Sequence, residues 1–330
     1  VTARRSALAL VLALTASGVR AQDARAYHGD RIPAAVEQMY QRGMTWLAAT
    51  QGPNGSWAAQ FGSEPGVVGL AVLSFLAHGE DPNFGPYAGT LRSGIDFILK
   101  SANSSTGYIG SSMYNHGFAT LALAEAYGAL DDDRLGPALR KAIDLIINSQ
   151  KSNAVGAWRY SPESTDGDTT VSGAQMVALY AARNAGLKVP DEAIAKGLRF
   201  YVACQSPDGG FGYSGAGGSN APRTAIGALV FALDRQKESK PFKAAMRYLR
   251  QSGMQNDASY PYYYEYYAAQ AFFHGDMELW TAWNERNTRH MQSIQAENGS
   301  WEGNHGPVFS TASALLSLAV NYRLVPIYER

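Results

Sequence analysis

Two kinds of helical pattern alternate along the chain. In the first, apolar residues recur three and four apart while Lys, Arg, Glu and Asp occupy the opposite side, which predicts half-exposed helices. These segments are 34–50, 91–100, 135–149, 192–203, 242–250 and 279–294. In the second, Ala, Gly and Ser are mixed with Leu, Val and Phe on nearly all faces, the pattern of a fully enclosed helix. These are 67–78, 117–127, 170–184, 224–234, 263–274 and 310–322. Six outer and six inner helices in alternation are best accommodated as a closed ring, an all-α (α/α)6 toroid filling one domain over 34–330.

A turn recurs after the outer helices. Residues 51–57, 205–211 and 295–301 all read Gln-x-x-x-Gly-x-aromatic: Gln51, Gly55 and Trp57; Gln205, Gly209 and Phe211; Gln295, Gly299 and Trp301. A fourth copy, Gln150 with Gly156 and Trp158, carries two extra residues, and degenerate copies begin near Ser101, with Gly107-Tyr108, and near Gln255. The copies start about 40–55 residues apart, in the range of helical-repeat architectures. The Gln amide is expected to satisfy the orphan carbonyls at the end of its own helix. The Gly permits a left-handed turn, and the aromatic folds back as a plug between repeats. These residues therefore read as structural.

The repeats resemble the QW motif of the prenyltransferase and squalene-cyclase superfamily, and the resemblance runs from about Ala34 to the C-terminus. It implies the (α/α)6 toroid. Segments 168–173 and 262–270 look like a bacterial exported branch of that superfamily for which no shared activity is implied, and fold does not fix chemistry.

Composition narrows the function classes. The 330 residues carry 28 Lys+Arg against 28 Asp+Glu, without the basic excess a nucleic-acid binder needs. Hydrophobic residues make up 46%, enough for a large core. The single cysteine, Cys204, excludes an intramolecular disulfide framework and a Cys-cluster metal site. Arg4 and Arg5 before an apolar run, followed by small residues to Ala21, predict a signal peptide over 1–21 and a linker over 22–33. Its removal takes three arginines, leaving 25 basic against 28 acidic residues. The protein is expected to be exported, periplasmic or secreted, with no membrane span.

In a toroid the inner helices run the same way, so their N-termini meet at one mouth, whose unpaired N–H groups suit a polar or anionic group. The residues at those starts are Glu64 and Val67; Tyr114, Asn115 and His116; Asp166, Asp168 and Thr169; Asn220 and Arg223; Tyr263, Glu265 and Tyr266; and His305 and Phe309. Of these, Tyr114, His116, Arg223, Tyr263, Glu265, Tyr266, His305 and Phe309 are candidate ligand contacts. Aromatic faces with hydroxyl tips suit an isoprenoid chain or a stacked sugar.

Asp166 and Asp168 match the first two acids of the Asp-x-Asp-Asp-Thr motif of class II terpene cyclases, whose middle Asp protonates an alkene or epoxide, but Thr169 stands in the third place. The competing reading makes Asp168 a helix N-cap. The resembled cyclases also enclose substrate between two toroids, whereas this chain supplies one. The zinc site of the protein prenyltransferases is missing, because residues 219–224 contain no Cys. The His residues have no metal-ligand spacing, so no metal or cofactor is expected. The leading expectation is a ligand-binding or scaffold toroid outside the cytoplasm, whose aromatic-lined central cavity accepts an apolar, isoprenoid-like or glycan ligand. The alternatives are an acid-initiated isoprenoid cyclase using Asp168, and a polysaccharide-active enzyme with Asp168 and Glu265 across a groove. Protein partners are left open.

Overall fold

The computed structural model describes residues 32–58, 60–252, 260–325 and 327. The signal peptide, most of the linker and the turn beginning at Gln255 lie outside the described residues. Within them the chain forms twelve α-helices and only isolated β-bridges.

The outer helices are α1 (Ala34–Thr50), α3 (Ala88–Ser101), α5 (Leu135–Ser152), α7 (Asp191–Ala203), α9 (Lys240–Ser252) and α11 (Met277–Ile294). The inner ones are α2 (Pro65–His78), α4 (Met113–Ala126), α6 (Thr169–Asn184), α8 (Ala221–Leu233), α10 (Pro261–Gly275) and α12 (Pro307–Ala319). All 14 residues of α2 are buried, against 6 of the 17 in α1, which separates the two layers. Each inner helix packs on the next, and α12 returns to α2, so the inner layer is a closed ring. Where α2 crosses α4, a Cβ on Gly69 would come within 2.8 Å of the Phe118 carbonyl. Only glycine permits that approach.

Several inner helices begin earlier than the apolar pattern predicts, most clearly α4, at Met113 rather than Gly117. The cause is capping by polar residues that an apolar count passes over. The Ser112 hydroxyl accepts from Asn115 N–H at 3.3 Å, and Asn220 Oδ1 accepts from Arg223 N–H at 3.0 Å.

The Gln loops do something different from the expectation. Gln51 Nε2 donates to Gly55 O at 2.9 Å and, across the repeat boundary, to Thr90 O of α3 at 3.1 Å. Gln150 does the same to Gly156 and to Ala193 of α7, both at 2.9 Å. Gln205 reaches Gly209 and Pro241 of α9, at 3.0 and 2.8 Å. Gln295 reaches Gly299 and Met39 of α1, at 2.9 and 3.0 Å, so the last loop closes the ring onto the first helix. Each Gln thus couples consecutive outer helices instead of capping its own. Gly55, at φ +87°, lies so close to the Ser93 carbonyl of α3 that a Cβ would run into it.

Carbonyls in the last turns of the outer helices receive the loop tryptophans. The indole N–H groups of Trp57, Trp158 and Trp301 donate to Leu47 O, Ile146 O and Met291 O at 2.9, 2.8 and 2.9 Å. Phe211 has no such donor and fills its slot by packing on Tyr201 and Phe231. In the second repeat the slot belongs to Ile109, fully buried, and not to Tyr108.

Candidate functional site

The first turns of all six inner helices surround one cavity of about 600 Å³. Val67, Leu70 and Phe118 form its apolar part, and Tyr114, Tyr263 and Phe309 add aromatic wall from α4, α10 and α12. Arg223 and Asn220 come from the start of α8, and His305 from the connection leading into α12. His305 packs edge-on against Phe309 at 5.3 Å and stacks on Tyr260 at 5.9 Å between centroids.

Four rim residues were missed by sequence reasoning: Phe61, Tyr160, Tyr213 and Tyr260. Two of them had a signal, since Tyr160 and Tyr213 each follow a loop aromatic, Trp158 and Phe211, by two residues. Their backbones explain the placement. Tyr160 O accepts from Met113 N–H at 2.9 Å and Tyr213 O from Thr169 N–H at 2.8 Å, so each loop caps the start of the preceding inner helix. The two phenols then meet at 2.6 Å over the mouth. Arg159 stacks on both rings, 5.6 and 5.4 Å from their centroids, and Arg223 lies 5.9 Å from that of Tyr213.

Asp166 and Asp168 part company. Asp166 is exposed and pairs with Arg159 at 2.6 Å, so its carboxylate turns outward. Asp168 is wholly buried and caps α6, its Oδ1 accepting from Thr170 N–H, Val171 N–H and Thr170 Oγ1 at 2.9, 2.8 and 2.6 Å. Its Oδ2 is also buried and, among the described residues, receives no hydrogen bond. The capping role therefore coexists with enclosure rather than with open solvent. Asp168 does not touch the cavity, but Thr170 and Tyr114 do, and Tyr114 OH donates to Thr170 Oγ1 at 2.5 Å. A continuous hydroxyl chain, Tyr114 to Thr170 to Asp168, connects the wall to the buried carboxylate. Burial raises the Tyr114 phenol above its ordinary value, and Tyr263, raised by the same cause, lies beside it.

Three candidate contacts are corrected. His116 lies outside the cavity and is completely buried. Its Nδ1 accepts from Ile109 N–H at 3.1 Å, which leaves Nε2 to donate to Ala142 O at 3.0 Å. The same job, holding the loop backbone at the plug residue, is done by Ser172 for Trp158, Thr224 for Phe211 and Thr311 for Trp301. His116 is thus the second repeat's version of a Ser/Thr anchor. Burial pushes its pKa down to about 4, against a smaller opposing effect of the Ala142 carbonyl. Glu265 and Tyr266 are buried within α10 and do not line the cavity, because Tyr263 already occupies the turn that faces it. The carboxylate that does line it, among the described residues, is Glu64, held by Asn115 Nδ2 at 2.6 Å and Ser111 Oγ at 3.1 Å.

No protein-family model matches the chain, and no curated protein matches its sequence. Solved structures do share its fold. A variant of the type II terpene cyclase MstE from Scytonema, in complex with geranylgeranyl dihydroxybenzoate, superposes with a TM-score of 0.62 at 17% identity, covering 88% of this chain and 98% of that one. The α-1,6-mannanase from Salegentibacter sp. HEL1_6 superposes with a TM-score of 0.66 at 9% identity, covering 88% and 99%. An inactive variant of that mannanase, in complex with α-1,6-mannotetrose, gives the same values. At such identities the likeness shows fold alone: the chain is an all-α toroid of the architecture that these terpene cyclase and mannanase structures share.

Proposed function

We propose that the chain is a ligand-binding toroid whose central cavity takes an apolar, isoprenoid-like molecule. The observation that carries this reading is the cavity itself: about 600 Å³, with Val67, Leu70 and Phe118 below and a belt of aromatic rings above. That volume is typical of small-molecule sites. An isoprenoid chain buries apolar surface against the floor, at about 25 cal/mol per Å², while Arg223 and His305 offer donors to a polar end. A glycan would leave hydroxyls facing Val67, Leu70 and Phe118 without partners, at a cost. The carboxylate pair that glycoside hydrolysis requires also has little support, since neither Asp168 nor Glu265 lines the cavity. Native mass spectrometry of protein purified under mild conditions tests the proposal. A bound apolar lipid, lost from a Phe118→Asn variant that keeps its helical circular dichroism, is the expected result. A bound sugar, or lipid retained equally by the variant, overturns it.

One observation favours a second reading, an acid-initiated isoprenoid cyclase. Asp168 is enclosed, and its hydrogen bond from Thr170, with that from Tyr114, gives a proton a path to the wall. Asp168, in its protonated form, would give its proton to Thr170 as Thr170 passes its own to Tyr114 and Tyr114 its own to a terminal alkene carbon. The two hydroxyls turn from their inward-donating arrangement to do so. The cyclised cation loses a proton to the same chain, which restores the acid. Incubation with geranylgeranyl-bearing substrates and mass analysis for a cyclised isomer separates the readings: a product that vanishes in Asp168→Asn supports the cyclase, and unchanged substrate supports binding.

A further inference from the structure

The inner helices start at the cavity, so their C-terminal ends and the connections that follow lie at the opposite end of the ring. That end is electrostatically divided. The α2–α3 and α4–α5 connections carry Glu80, Asp81, Asp131, Asp132 and Asp133, and Asn83 Nδ2 ties them together by donating to Ala129 O at 2.7 Å. Arg134 offsets part of this charge, pairing with Asp96 and Asp132. Phe84 stands on the α2–α3 connection, beside the backbone of Pro82 and Asn83 that Arg92 holds at 2.8 and 3.2 Å. It is 71% exposed, the most exposed large hydrophobic among the described residues.

Across the ring, at the same end, the α8–α9 connection, α9 and the α10–α11 junction enclose a groove of about 450 Å³. Its floor is apolar, from Phe242, Met246 and Leu279, and its edges carry Lys237, Lys243, Arg247 and Arg250. The lining thus carries four cations against two carboxylates, Glu238 and Asp276, which pair with Lys243 and Arg250, so positive side chains outnumber negative ones around the groove. An apolar knob on the acidic half thus complements an apolar hole among cations on the other.

We propose that two copies of this chain pair end to end through these surfaces, each inserting Phe84 into the other's groove. A two-fold axis lying in the plane between the two ends brings the acidic half of each copy onto the basic half of its partner. Both contacts form at once, and the assembly closes as an isologous dimer. The cavities face away from the interface, so pairing and ligand binding are independent, and this inference does not rest on the proposed ligand.

Sedimentation velocity over a concentration series, at about 0.02 M and about 0.5 M salt, tests the pairing. The wild type is expected to show a monomer–dimer equilibrium that weakens with salt. Phe84→Ser, a change at an exposed position, is expected to weaken it on the order of 100-fold, since each dimer loses two anchors. Reversing the acidic half (Asp131→Lys with Asp133→Lys) or the basic half (Lys237→Glu with Arg247→Glu) gives monomers, and mixing the two reversed proteins restores a dimer. A wild type that stays monomeric at low salt, a Phe84→Ser variant that pairs like wild type, a ladder of higher oligomers, or reversed proteins that fail to pair when mixed overturns the proposal.

Discussion

Replacing Gln150 by Met keeps the length of the side chain and removes its amide. The wild-type amide donates two bonds of 2.9 Å, one to Gly156 within its own loop and one to Ala193 of the next outer helix. Gln150 is 1% exposed, so water cannot take over either bond. Each lost bond is worth about 1 kcal/mol net, and a buried carbonyl left without a donor adds about 1 kcal/mol or more, for a total of about 2–4 kcal/mol. Gln51 makes the equivalent pair of bonds from a partly exposed position, where water replaces the amide, and Gln51→Met is expected to cost about 1 kcal/mol. Urea titrations followed by circular dichroism and by tryptophan fluorescence measure both. The expected signature is a lower midpoint with an unchanged slope for each variant, and a larger drop for Gln150→Met. Gln150→Glu sharpens the test, because a carboxylate aimed at two carbonyls is worse than no polar group, and it should be the least stable of the three. Equal losses at Gln51 and Gln150, or a loss below about 0.5 kcal/mol at Gln150, would refute the view that these side chains couple the outer helices.

Three further outcomes follow from the same geometry. Gly55→Ala places a Cβ at φ +87° and against the Ser93 carbonyl. The left-handed backbone alone costs about 1 kcal/mol and the displaced helix adds more, so the melting temperature falls clearly below that of a surface control such as Gly89→Ala, where no atom is met within 4 Å. His116 titrates near pH 4 when folded against about 6.5 in an unfolded chain, so the unfolded state binds more protons between those values and stability rises with pH through that window; about 3 kcal/mol is lost on acidification from above 6.5 to 4, and His116→Gln should flatten that slope in denaturation series at several pH values. Asp168→Asn retains an acceptor for the start of α6 and is expected to cost about 1 kcal/mol or less, whereas Asp168→Ala strips three donors of their acceptor and is expected to cost about 2–3 kcal/mol; equal melting temperatures for the two would contradict the capping role.

The ring could be read from the chain because Gln-x-x-x-Gly-x-aromatic recurs between helices of alternating character. What each Gln binds beyond its own loop could not, since that second acceptor sits 36 to 43 residues ahead, or 256 back for Gln295, and nothing local specifies it. The placement of Tyr114, Arg223, Tyr263, His305 and Phe309 around one cavity was legible because inner-helix starts converge. His116 was misassigned for a geometric reason: α4 begins at Met113, so His116 has turned away from the opening by the time the chain reaches it. Tyr160 and Tyr213 lie in loops, where no helical period announces a direction. Their position follows from backbone bonds to neighbouring helices that a pattern of side chains does not encode.

The junction between the last loop and the first helix, in which Gln295 reaches Met39 and Arg42 reaches the carbonyls of Ala296 and Glu297, is built like the internal junctions. Nothing in its chemistry marks it as a seam. A circular permutant that joins the residues after α12 to those before α1 and opens instead between α2 and α3 should therefore recover the same ring. In the natural order this junction asks two ends of the chain to meet across more than two hundred residues, and the entropy of closing so long a loop grows only with its logarithm. Its cost falls mainly on the rate of folding. Permutation moves that delay to another junction, making the order of assembly a property of where the chain is cut.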